Sequence, residues 1–190
     1  NSSYAQSISF TGCAIQNIKR TLVRISDGSG VFMTDITIDN CVISEVGTDG
    51  YGMINFGKNI DQLERVSITN STLINIGDQL MDVKGGIGDV ILENCTFYNT
   101  RSGAIIVAPC HKEAKWGYVF RDCTIDGNEA AANVKKWGVK LGRPWHNSPK
   151  TVYIHTTMNI PISPEGWANM GAIPTLFAEY NSRDAAGNVL

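Results

Sequence analysis

Arg24, Asn55 and Asp82 stand at equivalent places in three short segments, each following an apolar residue: Val23, Ile54 and Met81. If those apolar residues face a core, strand alternation turns Arg24, Asn55 and Asp82 outward in one column. Ser26, Gly57 and Lys84 would form the next column. A guanidinium, an amide and a carboxylate in a row on a long flat face suit an extended polymer such as a polysaccharide. A plain solvated face would carry the same residue types. Trp116, Trp137, Trp145 and Trp167 all lie in the second half, where exposed indoles could add sugar-stacking platforms. Each could instead plug a loop onto the body of the protein. For Trp116 and Trp137, which sit beside apolar neighbours, packing is the expected role.

Other constellations carry less chemistry. His111, His146 and His155 are too scattered for a metal spacing, and Cys110 adds nothing to them, so no metal and no cofactor is expected. Asp35, Asp39 and Asp49 fall on different strand and turn positions, which is a poor start for a calcium site. Gly85-Gly86-Ile87-Gly88 lacks the lysine and helix of a phosphate loop and reads as a turn. Asn1-Ser2-Ser3 and Asn70-Ser71-Thr72 fit the glycosylation acceptor pattern, with Asn70 read as structural.

The elements that would position these residues come from an internal repeat. Six residues recur: a large apolar residue, any residue, a small or polar one, then Cys, Ser or Thr, any residue, and a large apolar one. Copies begin at Phe10, Ile38, Ile68, Leu92 and Phe120, with a worn sixth at Ile154. Their fourth positions, 13, 41, 71, 95, 123 and 157, rise by 28, 30, 24, 28 and 34. Variable insertions at such a period suit a solenoid whose loops differ from turn to turn. The copies alternate apolar with polar and favour Ile, Val, Thr and Phe, so each is expected to be a strand. A second set of strands is expected at 22–26, 53–56, 80–84, 104–108, 139–141 and 176–180, with one brief helix at 128–136. In a parallel β-helix, coils stack about 4.8 Å apart and like positions form columns. Cys13, Cys41, Ser71, Cys95 and Cys123 would then line one interior column, since free cysteine is among the most buried residue types. Five cysteines cannot all pair within one chain, and Cys110 falls outside the column.

Composition bounds the partners. The 190 residues are enough for one domain with its own core. Sixteen basic against eighteen acidic residues give no basic footprint for nucleic acid or an anionic membrane. No apolar run approaches the roughly 20 residues needed to cross a bilayer, so membrane insertion is not expected. The first copy of the repeat begins within ten residues of Asn1 with no capping helix before it. Open coil ends invite pairing, so further N-terminal coils or a capping partner are expected.

The C-terminal part adds a resemblance. Leu141-Gly142-Arg143-Pro144-Trp145 resembles the signature of pectin methylesterases. Ile162-Ser163-Pro164-Glu165-Gly166-Trp167 is similar to that family's proline-x-glycine-tryptophan segment. The stretch from Thr175 to Asn181 is similar to its closing strand, and Gly117 to Cys123 resembles the coil before the signature. Together these cover 103–185 of a single 1–190 domain. The first hundred residues look more like poorly characterised bacterial β-helix domains.

The resemblance implies a right-handed parallel β-helix and hydrolysis of the methyl esters of homogalacturonan (pectin), in a secreted, periplasmic or cell-surface protein. In that family one aspartate attacks the ester, a second gives and takes protons, two glutamines hold the oxyanion and an arginine fixes the nucleophile. Arg143 matches the arginine and Trp145 the substrate-stacking tryptophan. Asp82, in Met81-Asp82-Val83-Lys84-Gly85-Gly86 ahead of Asn94-Cys95, matches the nucleophile by spacing. The proton donor would fall near Gly52-Met53, neither of which can donate a proton, and the first glutamine near Thr21. Asp78, in Asp78-Gln79, is the stand-in acid, and Asp61 is another. Arg24, Asn55, Lys84 and Trp145 would contact the polymer. A non-catalytic polysaccharide-binding β-helix is the alternative, and a pectate-lyase-like enzyme or a ligand-free adhesin are further ones.

Overall fold

The computed structural model describes residues 7–25, 32–47, 52–56, 62–76, 81–83, 87–98, 105–109, 115–127, 139–145 and 148–190. All the regular elements among them are strands, and every strand-to-strand ladder is parallel. The first face of the molecule contains β1 (Ser7–Thr11), β4 (Phe32–Asp39), β7 (Gln62–Thr69), β10 (Ile87–Glu93), β13 (Tyr118–Arg121), β16 (Lys150–Ile154) and β18 (Leu176–Tyr180), stacked in chain order. The second contains β2 (Ala14–Ile18), β5 (Val42–Val46), β8 (Thr72–Ile74), β11 (Thr96–Tyr98), β14 (Thr124–Asp126), β17 (Thr157–Met158) and β19 (Arg183–Asp184). A third face is made by β3 (Val23–Ile25), β6 (Ile54–Phe56) and β9 (Met81–Val83), and further along by β12 (Ile105–Val107) and β15 (Lys140–Gly142). The chain is therefore a three-faced parallel β-solenoid. Its coils are numbered 1 to 7 by their first-face strand.

Like residues stack through the core. Ile36, Val66, Val90 and Tyr118 pair in register on the first face, as do Ile38, Ile68, Leu92, Phe120 and Tyr153. All of these are fully buried. Ile43, Leu73, Phe97, Ile125 and Met158 do the same on the second face. Each such aliphatic or aromatic side chain contributes about 1.5–3 kcal/mol by leaving water. Phe120 and Tyr153 stack with ring centroids 4.2 Å apart, and Phe97 meets Phe120 edge-on.

The six-residue repeat is a corner and not a single strand. Its third residue takes a left-handed backbone conformation in every coil: Gly12, Asn40, Asn70, Asn94, Asp122, His155 and Asn181, with φ between 50° and 65°. Glycine, asparagine and aspartate tolerate that region best, which explains why the position is small or polar. The corner separates the first-face strand from the second-face strand, so the alternation on its two sides belongs to two sheets. Asn70 stands at this corner, where its Nδ2 donates to Asp39 Oδ1 at 2.8 Å and its Oδ1 accepts from Asn94 Nδ2 at 2.9 Å.

The interior column of small residues exists and is longer than the sequence suggests. Cys41, Ser71, Cys95 and Cys123 are buried, and Cys13, in coil 1, is half-buried. Each Sγ or Oγ donates to the carbonyl two residues back, and Cys41 N donates to Ser71 Oγ at 3.1 Å. Thr156 and Ser182 continue the column, and Thr156 N donates to Ser182 Oγ at 3.1 Å. The sixth copy thus centres on Thr156, one residue before the expected 157. A seventh at Ser182 escapes the pattern because Glu179 and Asp184 occupy its apolar places. The segment 176–180, expected among the second set, is instead β18 of the first face. The brief helix expected at 128–136 lies outside the described residues.

Candidate functional site

The third face gathers the polar residues singled out from the sequence. Val23 and Ile54 are buried, while Arg24 between Val23 and Ile25 is exposed. The backbone register pairs Val23 with Ile54 and Ile54 with Met81, which places Arg24, Asn55 and Asp82 in one column across coils 1, 2 and 3. Met53, where a proton donor would be needed, is fully buried in the core. Asp78, Asp61, Lys84, Ser26 and Gly57 lie outside the described residues, as do Trp137, Cys110, His111, His146 and Asp49. Asp35 and Asp39 are engaged on the first face: Asp35 accepts from Arg65 Nε at 3.0 Å, and Asp39 from Thr69 Oγ1 at 2.6 Å.

The segment Leu141-Gly142-Arg143-Pro144-Trp145 is held from both sides. Toward coil 4, Arg143 N donates to Val107 O at 3.0 Å and Trp145 N to Pro109 O at 3.1 Å. Toward coil 6, Leu141 N donates to Gly166 O at 2.8 Å and Gly142 O accepts from Ala168 N at 2.9 Å. From inside, Tyr153 Oη donates to Leu141 O at 2.7 Å. Gly142 is glycine for want of room: a Cβ there would lie 3.1 Å from Val107 O and 3.4 Å from the Trp167 ring. Arg143 and Trp145 emerge half-buried from this clamp. The Arg143 Nε is buried and has no hydrogen-bond partner among the described residues. A buried donor of this kind costs about 1–3 kcal/mol when nothing accepts from it, so an anion beside it would be stabilised. Asp82, in coil 3, is two coil steps from Arg143 in coil 5, a rise of about 10 Å.

A second cluster that the sequence did not single out locks the clamp. Lys140 Nζ donates to Ser163 Oγ at 2.7 Å and lies 2.9 Å from Glu165 Oε2, to which the Ser163 hydroxyl also donates. The Ser163 hydroxyl first, and then the Lys140 ammonium, hold the Glu165 carboxyl down at about 2. No short-range motif joins Lys140 to residues 163 and 165; only the coil period places them side by side. Trp167 is packing: its ring lies 4.5 Å from Phe177 and 6.0 Å from Tyr153. Trp116, expected to pack, is 58% exposed.

A model of the pectinesterase family matches residues 79–189, more than half of the chain and a span that contains both Asp82 and Arg143. The chain belongs to the pectinesterase family. "Probable pectinesterase/pectinesterase inhibitor 13" of Arabidopsis thaliana is 36% identical to this pectinesterase-family chain over 78 residues, 38% of the chain and 13% of that relative. "Probable pectinesterase/pectinesterase inhibitor 58" of the same plant is 32% identical over 114 residues, 54% of the chain and 20% of the relative. The matched stretches are thus a fifth or less of these two relatives. Pectin methylesterase from carrot superposes with a TM-score of 0.54 at 18% identity, covering 97% of this chain and 73% of that one. That likeness carries the solenoid fold of the family.

Proposed function

We propose that the chain is a pectinesterase-like carbohydrate esterase that hydrolyses methyl esters of homogalacturonan on its third face. Asp82 is the nucleophile. Its carboxylate oxygen adds to the ester carbonyl carbon, and the tetrahedral adduct collapses with loss of methoxide, which takes a proton from the acid and leaves as methanol. Water, giving its proton to the same group, then cleaves the acyl–enzyme anhydride and restores both carboxyls. Asp78 is assigned as that acid and base. Arg143 holds Asp82 ionised and aimed, Trp145 is a platform for a sugar ring, and Arg24, Asn55 and Lys84 bind the carboxylates and hydroxyls of the polymer.

The observation that most supports this reading is the buried Arg143 Nε, without a hydrogen-bond partner among the described residues, on the face that also carries the Asp82 column. Action on an extracellular polymer supports a protein that works outside the cytoplasm, secreted, periplasmic or at the cell surface, in cell-wall modification. The test is a double-mutant cycle on methanol release. Asp82→Asn and Arg143→Ala should each lower kcat/KM about a hundredfold or more, and the double variant should lose no more than the worse single one, because groups that act as a unit are not additive. Additive losses would show that Arg143 does not serve Asp82.

A further inference from the structure

The outer side of the first face changes character along the solenoid. One outward column reads Ser9, Thr37 and Ser67 in coils 1 to 3, then Ile91, Val119, Val152 and Ala178 in coils 4 to 7. Its neighbour reads Thr11, Asp39, Thr69, Glu93 and Arg121 before turning to Ile154 and Tyr180. The aliphatic half forms the floor of an open groove of about 740 Å³, running parallel to the solenoid axis toward the exposed Leu176. Three coil steps from coil 4 to coil 7 give it a length of about 14 Å.

The rim of this groove is built and not incidental. Lys115 and Trp116 stand over it on a turn that the Asp89 carboxylate fixes, accepting Trp116 N at 2.6 Å and Gly117 N at 3.0 Å. Lys150 Nζ donates to Lys115 O at 3.0 Å and ties the turn to coil 6. The Lys115 ammonium lies 4.9 Å from the centre of the Trp116 ring. Among the described residues the rim carries Lys115, Lys150 and Arg121, the last paired with Glu93 at 2.6 Å, while Asp89 is occupied by the two amides.

We propose that this groove is a second glycan-binding site, remote from the Asp82 column, that takes a strand of acidic, partly esterified polyuronate along the solenoid axis. The choice of polymer rests on the function proposed above. An exposed indole gives a flat surface for the C–H face of a sugar. The Lys115 ammonium beside that indole suits its carboxylates, and an aliphatic floor suits its methyl esters. Size favours a glycan over a protein: the volume falls within the roughly 300–1,000 Å³ of small-ligand sites. A stable protein interface needs about 800 Å² from each partner.

Retardation in native gels containing polygalacturonate or highly methylated pectin tests the site, with a neutral glucan as control. Wild type and Asp82→Asn should be retarded alike by the uronates. Trp116→Ala, and the pair Lys115→Glu with Lys150→Glu, should weaken the apparent Kd five- to tenfold, and the lysine effect should fade with added salt. Trp116→Ala should change methanol release from a short esterified oligomer less than twofold. Retardation that ignores Trp116→Ala, or none in wild type, overturns the site. A concentration-dependent dimer in sedimentation that Val119→Lys disperses would also overturn it, because a second copy would then cover the groove. Trp116-dependent binding without any methanol release would leave this site standing and remove the esterase function.

Discussion

The carbonyl oxygen of Val107 accepts the backbone N–H of Arg143 at 3.0 Å. That bond fixes where the Arg143 side chain leaves the solenoid, and it is possible only because Gly142 lets the two strands close on each other. A Cβ at 142 would meet Val107 O at 3.1 Å and Val107 Cγ2 at 3.2 Å.

Gly142→Ala should therefore push β15 away from β12. Overpacking of this kind costs about 1–3 kcal/mol, read as a lower melting temperature. Because Arg143 moves with the strand, methanol release should fall more steeply than the folded fraction does. A variant with unchanged stability would show that the coil relaxes around the new methyl group.

The corner ladder gives a second prediction. Asn70 sits at φ 50° and bonds to both Asp39 and Asn94. Asn70→Ala loses these bonds and strains the backbone. A left-handed non-glycine residue costs about 1–2 kcal/mol, and each lost bond about 0.5–1.5 kcal/mol. Asn70→Gly loses the bonds but keeps the conformation, so denaturant melts should rank wild type above Asn70→Gly and Asn70→Gly above Asn70→Ala. The reverse order of the two variants would show that the side-chain ladder and not the backbone sets the choice of asparagine.

The Glu165 clamp makes a pH prediction. Its carboxyl sits at about 2 in the folded chain against 4.5 when free, because Ser163 and Lys140 bond to the charged form. A depressed carboxyl stabilises the fold above its unfolded value and stops doing so as pH falls through the folded one. The melting temperature of wild type should thus exceed that of Glu165→Gln near neutrality, and the gap should narrow between pH about 4.5 and 2. A gap that is constant down to pH 2 would mean that the charge of Glu165 plays no part in holding the 162–167 loop.

The solenoid was legible because its core is periodic in sequence: Cys41, Ser71, Cys95 and Cys123 are stacked neighbours and also recur at nearly even steps. The corner was not, because alternation looks the same whether it belongs to one strand or two. Only the run of glycine, asparagine and aspartate at the third position betrays the turn. The strand at 176–180 is legible but its corner at Ser182 is not, because Glu179 and Asp184 turn to capping bonds: Ser182 N donates to Glu179, and Ala186 N and Asn188 N donate to Asp184. Trp116 has apolar neighbours in sequence and is nevertheless exposed, because nearness in sequence does not bring packing partners. The Lys140–Ser163–Glu165 cluster was invisible, since its members are joined by coil stacking and by no local spacing.

Asp82 carries the central step of the proposed reaction. The most direct measurement is methanol release from highly methylated pectin by the folded wild-type chain and by Asp82→Asn, from pH 5 to 9. Release by wild type that drops a hundredfold or more in Asp82→Asn, with the melting temperature preserved, is the expected result. No release from the folded wild-type chain at any of these pH values, or an Asp82→Asn variant as active as wild type, would contradict it.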